Sequence, residues 1–121
     1  MKKILVIDDE LAYLTLLRDE LLRNGYEVFE ASNGKEGLVM IKKSHPDLIL
    51  LDIRMPMMNG MQMLDAMRRE PNGSSVKVIV LTNLEPNDEM IAQVIKSHPT
   101  YYFIKSDIEL SELMNKIREL A

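Results

Sequence analysis

The sequence predicts an α/β domain: a doubly wound, five-stranded parallel sheet in the order 2-1-3-4-5, sandwiched between helices as a three-layer (βα)5 unit. Three observations carry this expectation. Short aliphatic runs alternate with helix-period segments five times along the chain. Three of those runs, KILVI, DLILL and VKVIVL, are nearly continuous in apolar residues, as parallel strands covered on both faces require. Turn signals such as Asn24-Gly25 and Pro71-Asn72-Gly73 separate the segments.

The strands are expected at 3–7, 26–30, 47–51, 76–81 and 101–104. Between the first two, Leu11, Leu14, Leu17 or Arg18, Leu21 and Leu22 form one apolar face, ended by the left-handed cap signal Asn24-Gly25. Leu38 and Ile41 mark a second helix, whose start carries Asn33 and Glu36 at the spacing of a capping box. Met63, Leu64 and Met67 mark a third, stopped before Pro71. Ile91, Val94 and Ile95 mark a fourth, ended before His98-Pro99. Leu110, Leu113, Ile117 and Leu120 mark a fifth, with Ser106 and Glu109 again spaced as a capping box. Right-handed crossovers leave 2-1-3-4-5 as the common outcome for five such units.

The chain of 121 residues reads as one domain, with no repeat, linker or second module. Cysteine is absent, which excludes disulfides, thiol nucleophiles and cysteine-based zinc sites and fits a reducing, cytoplasmic setting. The apolar run after Met1-Lys2-Lys3 is too short for a signal-peptide core, and no stretch approaches the ~20 apolar residues of a membrane span. Net charge is −4, which offers no bulk attraction to nucleic acid. Six of the ten methionines lie between Met55 and Met67. Their first reading is flexible core filling, and their second an adaptable contact surface.

Four aliphatic strands end abruptly in polar residues: the first at Asp8-Asp9, the third at Asp52, the fourth at Thr82 and the fifth at Lys105. Ligands of open α/β sheets bind beyond the carboxyl ends of the strands, near the reversal of strand order, and strands 1 and 3 flank that point. Two carboxylates roughly 4 Å apart repel by about 4 kcal/mol at an effective dielectric of about 20. Three cannot all stay ionised there unaided, and Lys105 supplies one positive charge. A hard divalent cation resolves the conflict: Mg²⁺ takes one or two carboxylates, waters and a phosphate oxygen. Such a site has the parts for phosphoryl transfer. Asp52 is the nucleophile expected to form an aspartyl phosphate. Asp8 and Asp9 hold the metal, Lys105 contacts one phosphoryl oxygen as a point charge, and Thr82 donates to another. The plainer reading makes Asp8-Asp9 a helix cap, Thr82 a turn residue and Lys105 a solvated charge. His45 and His98 read as helix-terminus cations or surface residues.

These residues resemble the response-regulator receiver domains of bacterial two-component signalling, over essentially the whole chain. The matches are ILVIDDE at 4–10, LILLDIRMPMMNG at 48–60, VIVLTN at 78–83 and YFIKS at 102–106. The resemblance implies a flavodoxin-like fold and a single receiver domain over 1–121. It makes Asp52 the phosphoacceptor, Asp9 a direct ligand of Mg²⁺ or Mn²⁺, and Asp8 an acid acting through metal-bound water. The backbone carbonyl of Arg54 completes the protein ligands. Thr82 and Tyr102 become the switch pair: the hydroxyl moves toward the phosphate and the ring turns inward. The surface formed by the fourth helix, fifth strand and fifth helix then changes. The donor is a phosphohistidine on a sensor histidine kinase or phosphotransfer protein, and the output is a downstream effector protein. Phosphorylation is self-catalysed and followed by autodephosphorylation. The receiver is a monomer or a phosphorylation-dependent homodimer, without direct nucleic-acid contact or membrane insertion.

Three positions depart from the family pattern. Ser106 stands where Pro, preceded by a cis peptide, is usual, and a non-proline cis bond costs roughly 3 kcal/mol. Asn83 replaces a smaller residue, which is expected to narrow access to the phosphoryl group. His98-Pro99 replaces Gly-Ala before the fifth strand. Arg54 is expected to influence the dephosphorylation rate. Two competing functions remain open at this point. One is a Mg²⁺-dependent phosphatase with an Asp nucleophile, disfavoured by Arg54 where a general acid is needed and by the lack of room for a cap insertion. The other is a phosphorylation-independent pseudo-receiver, disfavoured by the intact Asp8, Asp9, Asp52, Thr82 and Lys105.

Overall fold

The computed structural model describes residues 1–53, 58, 60–70, 73, 75–83 and 101–121, with the side chain of Met61 left aside. The elements run β1 (Lys3–Ile7), α1 (Leu11–Arg23), β2 (Glu27–Ala31), α2 (Gly34–Ser44), β3 (Leu48–Leu51), α3 (Gly60–Arg69), β4 (Lys77–Thr82), β5 (Tyr101–Ile104) and α4 (Leu110–Leu120). The sheet has the order β2-β1-β3-β4-β5 and every pairing is parallel, as expected. The fourth expected helix, with Ile91, Val94 and Ile95, and the pair His98-Pro99 lie outside the described residues.

The continuous aliphatic runs are buried because each strand feeds two cores, its side chains alternating between sheet faces. Leu5, Ile7, Ile49, Leu51, Val78 and Val80 meet Ile41 of α2 and Met63, Leu64 and Met67 of α3. Ile4, Val6, Leu48, Leu50, Ile79 and Leu81 meet Leu14, Leu17 and Leu21 of α1 and Leu113, Met114 and Ile117 of α4. Met63 and Met67 are fully buried, so for these two the core-filling reading holds.

The helix faces differ in detail from expectation. Leu14, Leu17 and Leu21 define the buried stripe of α1, whereas Leu11 and Leu22 are 74% and 53% exposed. Leu22 follows Leu21 by about 100° of helical rotation, which carries it off that stripe. The end of α1 is as expected: Gly25 takes φ 86 and Tyr26 N–H donates back to Leu21 O. At α2, Asn33 Oδ1 accepts from Glu36 N–H at 2.9 Å. The reciprocal half of the box is displaced: Glu36 Oε2 accepts from the N–H and the hydroxyl of Ser32, one residue further back. Those bonds lower the Glu36 pKa. His45 is the left-handed C-cap of α2, at φ 49. The second expected box does not form. Glu109 is itself the N-cap of α4 and makes no side-chain cap bond, because a turn in which Asp107 and Ile108 N–H donate to Ile104 O intervenes. Ser106 therefore lies too early to cap α4.

Candidate functional site

The sheet register brings the strand-end polar residues together. Ile7 pairs with Leu51, so Asp8 and Asp52 leave adjacent strands side by side. Their backbones stay tied to the sheet: Asp8 N–H donates to Ala31 O, and Asp52 N–H donates to Ile7 O at 2.9 Å. On the other flank, Thr82 is the last residue of β4 and pairs with Ile104, one residue before Lys105. Lys105 N–H donates to Thr82 O at 2.9 Å. A cleft of about 470 Å³ opens at this edge, lined by Asp9, Glu10, Asp52, Thr82, Asn83 and Lys105.

Lys105 ties the acids together. Its Nζ lies 2.6 Å from Asp8 Oδ2, 3.3 Å from Glu10 Oε1 and 3.4 Å from Asp52 Oδ2. The ring of Tyr13 covers the ammonium, its centroid 4.4 Å away, within cation–π range. The other oxygens of Asp8 and Asp52 take backbone donors. Asp8 Oδ1 accepts from Glu10 N–H at 2.9 Å, and Asp52 Oδ1 from Ile53 N–H at 2.8 Å. Asp8 is therefore not a cap of α1, whose N-cap is Glu10. The peptide between Lys105 and Ser106 is trans, and side-chain contacts hold the lysine.

Charge distribution follows from burial. Loss of hydration pushes the Asp8 carboxyl up to about 6, only partly offset by the hydrogen bond from Lys105. Burial opposes the charge of Lys105, but its hydrogen bond to Asp8 and the charges of Asp52 and Asp8 outweigh that, and its pKa is raised.

One ammonium does not balance this acid cluster. Asp8, Asp9 and Asp52 each offer a carboxylate oxygen, and these oxygens lie within 4.8 Å of one another. An all-oxygen anionic donor set at that spacing suits a hard divalent cation. Arg54, whose carbonyl was the fourth expected ligand, lies outside the described residues. Tyr102 is half-buried on β5, pairs with Val80 and packs on the α2/α3 side of the sheet. Thr82, two residues beyond Val80, belongs to the same face, so the expected switch residues share one face of adjacent strands.

Sequence reading missed three contributors. Glu10 ends the motif ILVIDDE, and Tyr13 follows one helical turn later, but neither residue type signals a lysine partner. Gly60 was read only as the last residue of the match LILLDIRMPMMNG. Its N–H donates to Ile53 O at 2.8 Å, and a Cβ there would collide with the Asp52 carbonyl oxygen and lie 2.8 Å from Ile53 Cα.

A family model for the response regulator receiver domain matches residues 4–118. The chain belongs to that family. It is 42% identical over 83 residues to a probable transcriptional regulator ycf27 of Porphyra purpurea, covering 69% of this chain and 33% of that protein. It is 32% identical over 118 residues to the response regulator MprA of Mycobacterium leprae, covering 98% of this chain and 50% of that protein. The chain thus spans a third to a half of the length of these relatives. Among solved structures, the chemotaxis response regulator CheY4 of Vibrio cholerae superposes with a TM-score of 0.89 at 25% identity, covering 100% of this chain and 99% of that one.

This receiver domain is therefore a signalling switch of the phosphorelay class. Receiver domains bind Mg²⁺ in an acidic pocket, and Asp8, Asp9 and Asp52 form an acidic cluster here. Receiver domains interact with histidine kinases and effectors. Among the described residues, no helix is long and apolar enough to cross a membrane.

Proposed function

We propose that residues 1–121 act as one receiver domain that accepts a phosphoryl group on Asp52 from a phosphohistidine donor. One observation carries the reading. Asp52 Oδ1 is engaged by Ile53 N–H, while Oδ2 lies 3.4 Å from Lys105 Nζ in a carboxylate that lines the cleft. One side of the nucleophile is thus oriented by backbone, and the other lies beside a cation.

Asp9 and Asp52 line the cleft and are the direct ligands for Mg²⁺ or Mn²⁺, with the carbonyl of Arg54. Asp8 is committed to Lys105 and acts on the metal through water. The metal, when bound, neutralises phosphoryl oxygens during transfer. Lys105 orients a phosphoryl oxygen as a charged donor, and Thr82 donates a hydrogen bond to another. Asn83, exposed at the cleft wall, narrows access for hydrolytic water and lengthens the life of the phosphoryl group. Arg54 influences the same rate.

Movement of the Thr82 hydroxyl toward the phosphoryl group lets Tyr102 turn inward. The surface made by β5, α4 and the segment before β5 then changes for an effector protein or a second copy of the receiver. Uptake is self-catalysed and reversed by autodephosphorylation.

The deciding experiment is incubation with Mg²⁺ and acetyl phosphate, followed by intact-mass measurement. The expected result is one added phosphoryl group, absent in Asp52→Asn and absent with chelator. Equal uptake by Asp52→Asn would overturn the assignment.

A further inference from the structure

The ammonium of Lys105 has three N–H donors. In the unphosphorylated receiver three carboxylates stand around it: Asp8 at 2.6 Å, Glu10 at 3.3 Å and Asp52 at 3.4 Å. No donor is left over for a phosphoryl oxygen, so one carboxylate must yield. We propose that Glu10 is a positioning residue that holds one Lys105 donor in the resting receiver and surrenders it when Asp52 is phosphorylated. This rests on the reading of Asp52 as phosphoacceptor.

The three partners are not equivalent. Asp8 is buried, 3% exposed, and makes the shortest of the three contacts. Asp52 is the acceptor itself. Both belong to the three-carboxylate cluster that suits a divalent cation, and Glu10 does not. The Glu10 side chain is 57% exposed at the rim of the cleft. Its backbone N–H is anchored to Asp8 Oδ1, so its carboxylate can rotate into water while the start of α1 stays in place. Tyr13, one turn further along α1, lies over Nζ. Reorientation of the ammonium within its cage is therefore the available change.

Charge points the same way. On transfer from acetyl phosphate, the bond between phosphorus and the bridging oxygen breaks, acetate leaves with the electron pair, and an Asp52 carboxylate oxygen bonds to phosphorus. The Asp52 end gains roughly one further negative charge. Glu10 forms no bond in this step. Its carboxylate stabilises the resting arrangement through Lys105 and opposes both the anionic donor and the phosphorylated product. A pair whose carboxylate is 57% exposed to water is weakened by solvent, so Glu10 tunes the rate without gating it.

The test is the rate of phosphorylation by acetyl phosphate with Mg²⁺ in wild type, Glu10→Gln and Glu10→Ala, read by intact mass. The Lys105 Nζ resonance is followed by NMR in the absence of donor and metal. Both variants are expected to be phosphorylated about 1.5- to 5-fold faster than wild type, with the gain shrinking at high salt. The Lys105 resonance shifts in both, while Mg²⁺ affinity and melting temperature stay within about twofold and about 2 °C. Unchanged or slower phosphorylation in both variants, with wild type phosphorylated normally, overturns the inference alone. An unmoved Lys105 resonance also overturns it. Wild type that takes up no phosphoryl group on Asp52 is the different failure, that of the acceptor reading on which the inference stands.

Discussion

Asp8 and Lys105, 97 positions apart, form an ion pair at 2.6 Å with side chains only 3% and 7% exposed. Few side chains of either type are buried to that degree without a partner. The pair joins β1 to the end of β5 across the edge that carries the cleft, and it ties the proposed metal and phosphoryl sites to one cation. It explains how Lys105 is positioned with Ser106 behind it.

Removing the lysine should leave Asp8 buried and unpaired. Lys105→Met is expected to lose about 3–5 kcal/mol at neutral pH without metal, the usual cost of stripping one partner from a buried pair. The loss should shrink at pH 5, where Asp8 can take up a proton, and with millimolar Mg²⁺, which supplies the missing charge. Urea denaturation under the three conditions checks this. A loss that is the same in all three would contradict it.

The titration of Asp8 sets a pH window for metal binding. Its folded pKa of about 6 is above the ordinary 3.8 because burial disfavours the charged form. The stability linked to its protonated form is present below about 3.8 and disappears as pH rises through 6. The Lys105 pKa is raised as well, so its contribution stays intact below 10.5, outside this window. The proposed cation site requires ionised Asp8, so Mg²⁺ affinity should fall about tenfold between pH 7 and pH 5. Calorimetry in buffers of different ionisation enthalpy should register proton release near pH 6, and Asp8→Asn should abolish it.

Gly60 is held against the backbone of the proposed nucleophile. The Cβ of Gly60→Ala would meet the Asp52 carbonyl oxygen and Ile53 Cα, and backbone has no rotamer with which to give way. The variant should lose about 1–3 kcal/mol. It should also be phosphorylated more slowly than wild type under conditions where both are folded. Thermal melts and intact-mass time courses separate the two effects.

Thr82 and Tyr102 share a face of β4 and β5, as coupled switch residues would need. Thr82→Ala is expected to retain phosphoryl uptake on Asp52. The change in the Tyr102 ring resonances that accompanies phosphorylation of wild type should be lost. A Tyr102 response of full size in the variant would show that the ring follows some other signal.

Much of the fold was legible because its determinants are local. Aliphatic runs of strand length, the Asn24-Gly25 stop and the Asn33 cap are readable from neighbours in sequence, and the structure places elements on all of them. Helix faces were less legible. Leu11 and Leu22 satisfy an apolar count but fall beside the stripe that Leu14, Leu17 and Leu21 turn to the sheet. Likewise, Ser106 and Glu109 have the spacing of a box, but spacing does not say where a turn ends and a helix begins.

Strand-end polarity announced Asp8, Asp9, Asp52, Thr82 and Lys105, since an acid or lysine closing an aliphatic run has few other reasons to be there. Glu10 and Tyr13 carried no such mark: a Glu before a helix and a Tyr within one are ordinary residues. Their meeting with Lys105 spans 95 and 92 positions and depends on the angle at which α1 leaves β1 and on β5 closing the far side of the sheet. Patterning along the chain thus specified strands, turns and strand-end polar groups, because each depends on a few adjacent side chains. The partners of the lysine, the pKa of Asp8 and the need for glycine at position 60 came from packing, because contact, burial and clash are properties of surfaces brought together across the fold.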